Sequence, residues 1–148
     1  MDSFSGITQQ VALAVEFVGW LAFAVWAGVL WWWDRRYLRL PNVVVYPGVV
    51  ALWGMGLVGG SLGQLVMGLV WPGLYLLVWA FYKGVGGGDI KLACGLGVLV
   101  AQQGVGVVVW VVLLAQVTTV AEAVWCRRRR VAHGPHMLAA AVCGVIFG

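Results

Sequence analysis

All nine lysines and arginines of this chain lie in three short segments, and long apolar runs separate those segments. The segments are residues 34–42, 83–91 and 127–136. The apolar runs are 11–33, broken only by Glu16, then 43–58, 62–82, 92–101, 104–125 and 137–148. At a rise of 1.5 Å per residue the first run makes about 34 Å of helix. That is enough to cross a hydrocarbon core of about 30 Å. Six crossings put the three charged segments on one side of a membrane. The two termini and the turns near residues 60 and 103 fall on the other. The excess of positive charge marks the first side as cytoplasmic, so both termini face outward.

Composition agrees with this reading. Hydrophobic residues make up 63% of the chain and charged residues 9%, against roughly 25% charged in soluble domains. So few charges cannot cover a water-facing surface. The fold expected is all-α, a polytopic transmembrane bundle of about six segments forming one domain over residues 1–148. Trp31, Trp32 and Trp33 suit a headgroup-level aromatic belt. Pro72 should kink the third segment. The net charge of +4 does not point to nucleic acid, because the basic residues sit where they serve topology and anionic lipid headgroups. The three cysteines, Cys94, Cys126 and Cys143, contain no CxxC pair, so a zinc ribbon is not supported. Residues 1–10 carry no basic residue and do not read as a secretory signal.

Two aspartates stand at the cytoplasmic boundary. Asp34 follows directly on the first apolar run, and Asp89 precedes the fourth. Carboxylates at equal depth can meet if helices one and four pack together. A close pair then shares one proton. The ionised member activates a water, and the protonated member polarises a carbonyl. That is the chemistry of aspartic proteolysis, which needs no metal or other cofactor. Gly86, Gly87 and Gly88 lack Cβ atoms, so a substrate backbone can come close. They also allow the turn into helix four with Asp89 near its N-cap, where the helix dipole favours an anion. A structural reading stands beside this one, since boundary aspartates often cap helices or pair with cations such as Arg35, Arg36 and Lys91. A third is a small proton-coupled multidrug-type transporter using Glu16, an intramembrane carboxylate. A fourth is an accessory subunit of a membrane complex.

At the same residues the chain resembles the type IV prepilin peptidases, intramembrane aspartic proteases of the GxGD type. The run Gly86-Gly87-Gly88-Asp89-Ile90-Lys91-Leu92 resembles that family's GxGDxKL segment. Asp34, Arg36, Pro41 and Asn42 stand as in its D-x-R-x-x-x-I-P-N segment, and Gly134-Pro135 resembles its Gly-Pro step before the last helix. The resemblance implies Asp34 and Asp89 as the catalytic pair. It implies a multi-pass protein of a bacterial or archaeal cell membrane. The substrate implied is a prepilin-like protein, cut just after a glycine at the cytoplasmic face. Larger relatives add an N-terminal domain with four cysteines and also N-methylate the mature pilin. This chain resembles the minimal peptidases of Flp/Tad-type systems, so methylation is not part of the expectation.

The remaining charged and polar residues have plainer roles to weigh. Arg36, Arg39, Lys83 and Lys91 ring the proposed site, where they can tune it or hold topology; Lys91 belongs to the GxGDxKL match. Pro41 and Asn42 are expected to shape the start of helix two. Glu16 lies on the side opposite the aspartates, and Glu122 is expected to pair with the arginines at 127–130. His133 and His136 are three apart and lack a third ligand for a metal.

Overall fold

The computed structural model describes residues 2–82, 85–128 and 130–148, and among these there are helices and no strand. Lys83 and Arg129, each counted in a basic segment, lie outside the described residues. The helices are α1 (Asp2–Tyr37), α2 (Asn42–Gly59), α3 (Leu62–Gly68), α4 (Val70–Tyr82), α5 (Gly87–Ala101), α6 (Val105–Trp125) and α7 (Gly134–Phe147). Among the described residues, four stretches are long and apolar enough to cross a membrane: Gly6–Tyr37, Asn42–Gly59, Leu62–Tyr82 and Val105–Trp125. The outside of the bundle is itself apolar, with Val43, Val58 and Trp125 almost fully exposed. That is the surface lipid requires.

The third apolar run breaks as expected from Pro72. Proline lacks the N–H that would bond the Gly68 carbonyl, and the helix is interrupted at Leu69, between α3 and α4. The freed Gly68 carbonyl faces Gly97 of α5 so closely that a Cβ on Gly97 would collide with it. Glycine on both helices thus permits backbone contact at this crossing. Ser61 and Gln64 close a reciprocal capping box at the start of α3.

Helix α5 is the axis of the fold. From Leu92 to Ala101 only Cys94 escapes full burial. A helix apolar all round must be enclosed, and α5 packs against α2, α3, α4, α6 and α7. Its length is about 22 Å and that of α7 about 21 Å, less than the hydrocarbon thickness. Neither is among the four long spans.

Helix α1 packs differently. It rests on α2 and α7 and does not touch α5. Its inward residues are Gly19, Phe23, Trp26, Ala27, Leu30 and Asp34, the three-and-four spacing of one helix face. Packing of helices one and four along their length, the condition under which the two carboxylates could meet, is therefore not how this fold joins them. They come near each other only at one end of the bundle, through the segments that flank them.

Candidate active site

Asp34 lies inside the last turn of α1, not beyond its end, and is 4% exposed. Its place on the inward stripe, one turn after the fully buried Leu30, turns its carboxylate into the bundle. The Gly134 N–H donates to Asp34 Oδ2 over 2.9 Å. This amide belongs to the first residue of α7, so it has no intrahelical acceptor of its own. A side chain at 134 would displace the carboxylate, because its Cβ would sit 2.9 Å from the same oxygen.

After α1 the chain turns sharply. Leu38 adopts a φ of 51°, a left-handed conformation uncommon for a non-glycine residue, and its N–H donates to the Asp34 carbonyl. The turn lays residues 38–41 across the start of α5. Leu40 packs so tightly on Gly88 that a Cβ there would lie 2.8 Å from the Leu40 Cβ. Pro41 then caps α2, its carbonyl accepting from the N–H groups of Val44 and Val45.

Asp89 is the third residue of α5, with Gly86 at the N-cap. Its carboxylate folds back over Gly86, where a Cβ would lie 3.1 Å from Oδ2. The three glycines therefore have different neighbours. Gly88 is needed by Leu40 and Gly86 is covered by Asp89. Only Gly87 has open space where a side chain would stand.

These segments enclose a cavity of about 300 Å³. Asp34 and Asp89 both line it, together with the three glycines, Leu38, Arg39, Leu40, Val131 and His133. Gly86, Gly87 and Arg39 are exposed at its rim. Two carboxylates around one small space can share a proton and hold a water between them.

The other anticipated residues are distributed around this cavity. Lys91 Nζ donates to Asn42 Oδ1 over 2.8 Å and lies over the Tyr46 ring, tying the start of α5 to the start of α2. Arg36 is exposed on the last turn of α1 and does not line the cavity; Arg39 is the arginine that does. Glu122 pairs with none of the described arginines of the 127–130 block, Arg127, Arg128 and Arg130. It accepts from Arg35 Nη2 at 3.2 Å and meets His136 Nε2 at 2.6 Å, so that this side chain of α6 links the last turn of α1 to the first turn of α7. Glu16 is exposed on α1, far along the helix from Asp34.

Sequence reasoning missed His133 as a lining residue. Burial first, and the neighbouring His136 second, hold its imidazole down at about 4. Its partners are Tyr75 and Thr119, at 2.6 and 2.7 Å. The visible signal was the polar group Gln116, Thr118 and Thr119 within the apolar run 104–125, which needs partners inside the bundle. Tyr75 gives no such signal in an apolar run.

Residues 21–126 match the type IV leader peptidase family. Both aspartates fall within the matched span, while His133 and Gly134 lie beyond it. No curated protein and no solved structure matches the chain.

Proposed function

This chain belongs to the type IV leader peptidase family, and from that premise we propose that Asp34 and Asp89 are its catalytic pair, acting as an aspartic endopeptidase. The observation that carries the reading is their convergence on one cavity from α1 and α5, two helices that do not otherwise touch.

The chemistry follows from two carboxyl groups and one proton. The ionised carboxylate removes a proton from a bound water as it attacks the scissile carbonyl. The protonated partner gives its proton to the carbonyl oxygen, so no free oxyanion forms. Collapse of the tetrahedral intermediate returns a proton to the leaving amine. Gly87, open toward the cavity, lets an extended backbone pass close to Asp89.

The substrate in this reading is a prepilin-like protein, cut after a glycine where its leader meets its membrane helix. The site then faces the cytoplasm of a bacterial or archaeal cell. The described arginines flanking the cavity end of the bundle, Arg35, Arg36, Arg39, Arg127, Arg128 and Arg130, support that orientation. They also suit anionic lipid headgroups.

Co-expression with a candidate prepilin, scored by the gel shift on leader removal, tests the proposal. Wild type should process the substrate. Asp34→Asn and Asp89→Asn should each lower the rate by roughly 10³-fold or more. Processing by both single variants would sink the reading.

A further inference from the structure

The loop that supplies Gly134 is pinned from inside the bundle. His133 stands at the N-cap of α7, and its ring reaches inward between α4 and α6. The Thr119 hydroxyl lies 2.7 Å from the carbonyl of Ala115 and 2.7 Å from His133 Nδ1. A carbonyl can only accept, so the single hydroxyl hydrogen goes to Ala115. His133 Nδ1 must then carry a hydrogen and donate to Thr119. In a neutral imidazole this leaves Nε2 as an acceptor. The Tyr75 hydroxyl, 2.6 Å away, gives it a hydrogen and accepts one from Gln116 Nε2 at 3.0 Å.

The result is a directed chain: Gln116 to Tyr75, Tyr75 to His133, His133 to Thr119, Thr119 to the Ala115 carbonyl. The hydrogen at each of these four links has an acceptor. In an apolar interior such a chain holds its geometry, because each broken link leaves a polar group unpaired. The depressed basicity of His133 agrees with the neutral ring that this direction requires. The peptide following that ring carries the Gly134 N–H, which donates to buried Asp34.

We infer that His133 is a positioning residue: the directed chain clamps the 133–134 peptide so that Gly134 holds the Asp34 carboxylate in one orientation within the cavity. The consequence for catalysis rests on the reading of Asp34 as a protease carboxylate. The clamp itself does not.

Two measurements separate these points. The chain has two histidines, so nitrogen-15 histidine labelling in micelles reads His133 with only His136 beside it. In the wild type one ring should be neutral, with hydrogen on Nδ1, and stay so from about pH 8 to about pH 5.5, below the ordinary histidine range. Tyr75→Phe should alter the Nε2 signal of that ring and move the Gly134 amide proton upfield as its bond to Asp34 loosens. In prepilin processing, Tyr75→Phe and His133→Phe should lower kcat about tenfold with KM within about twofold, since geometry and not binding is lost. His133→Asn places an amide donor near Nδ1 and should restore part of kcat. Hydrogen on Nε2, a protonated ring at neutral pH, or an unmoved Gly134 amide in Tyr75→Phe would each overturn the inference. So would a rise in KM at unchanged kcat. If His133→Phe fails to fold, Tyr75→Phe, which removes one oxygen, decides. A wild type that processes no prepilin defeats the protease reading, while the labelled histidines still judge the clamp.

Discussion

Asp34 and Asp89 share one cavity but are held in different ways. Asp34 is buried within a turn of α1 and fixed by an amide from α7. Asp89 is half-buried at the start of α5 and folds over its own N-cap glycine, beside the open face of Gly87. One carboxylate is positioned by a distant part of the chain. The other is positioned by its own helix terminus and faces the side that a substrate can reach. The pair is thus asymmetric before anything binds. Asymmetry suits an acid–base pair, whose members must do different things at the same moment.

The largest effect should be shared by both residues, and stability should then separate them. Replacing either carboxylate by its amide should lower prepilin processing by roughly 10³-fold. Asp34→Ala should also leave the buried Gly134 amide without a partner, at about 1–3 kcal/mol of stability. Asp89→Ala should change stability by less than about 0.5 kcal/mol. Thermal unfolding in detergent, followed by the fluorescence of the tryptophans, reads the difference. Equal stability of the two variants would break the comparison.

Gly134→Ala probes the Asp34 side alone. The new methyl must displace the carboxylate that now lies 2.9 Å from its position. A displacement near 1 Å in a catalytic group costs up to about 10²-fold in rate. A loss of roughly ten- to a hundredfold in kcat is expected, with KM little changed. On the Asp89 side the glycines should divide. Gly88→Ala drives a Cβ into Leu40 and should cost about 1–3 kcal/mol. Gly87→Ala meets nothing within 4 Å, so its stability should hold while KM for prepilin rises. A Gly88 variant as stable as the Gly87 variant would show that the Leu40 contact gives way freely.

Acid should loosen the Asp34 side before it unfolds the rest. His133 binds its proton at about 4 in the folded chain against 6.5 ordinarily. Between those values the unfolded chain takes up the proton and the folded chain does not, so stability falls as pH drops through that window. Asp89, pushed up to about 6 by burial and then by the Asp34 charge, works in the opposite direction in both proteins, so from about pH 7.5 down to about pH 4.5 the thermal midpoint of wild type should fall relative to that of His133→Asn, which has no imidazole at that position. Parallel curves would remove His133 as the cause.

That the two aspartates come to one end of the bundle was legible because charges punctuate the apolar runs so regularly. The direction of Asp34 is legible as well, once Gly19, Phe23, Leu30 and Asp34 are read as one helix face. The packing order was not. That α1 rests on α2 and α7, like the fit of Gly68 against Gly97, is a contact between distant segments, and such contacts leave no local pattern. The Arg35 and His136 partners of Glu122 were not legible for a related reason. Proximity in sequence favours the arginines at 127–130, whereas the fold brings Arg35 and His136 to it. The choice between Arg36 and Arg39 turned on the left-handed Leu38, a backbone feature that leucine does not advertise.

Glu16 gives the smallest expected effect and the cleanest control for the pair. It is an acidic residue within the stretch Gly6–Tyr37, like Asp34, but it is exposed and has no partner among the described residues. Helix α1, at about 54 Å, exceeds the hydrocarbon thickness by more than 20 Å, so Glu16 can sit at the outer boundary, where its charge stays hydrated. Glu16→Gln should leave both prepilin processing and thermal stability unchanged within error, about twofold in rate and about 0.5 kcal/mol. A transporter driven by this carboxylate would show the reverse pattern: Glu16→Gln inactive, both aspartate variants active. A loss of processing in Glu16→Gln would mean that the outer half of α1 governs the site, and would undo the contrast between a carboxylate that the fold gathers in and one that it leaves out.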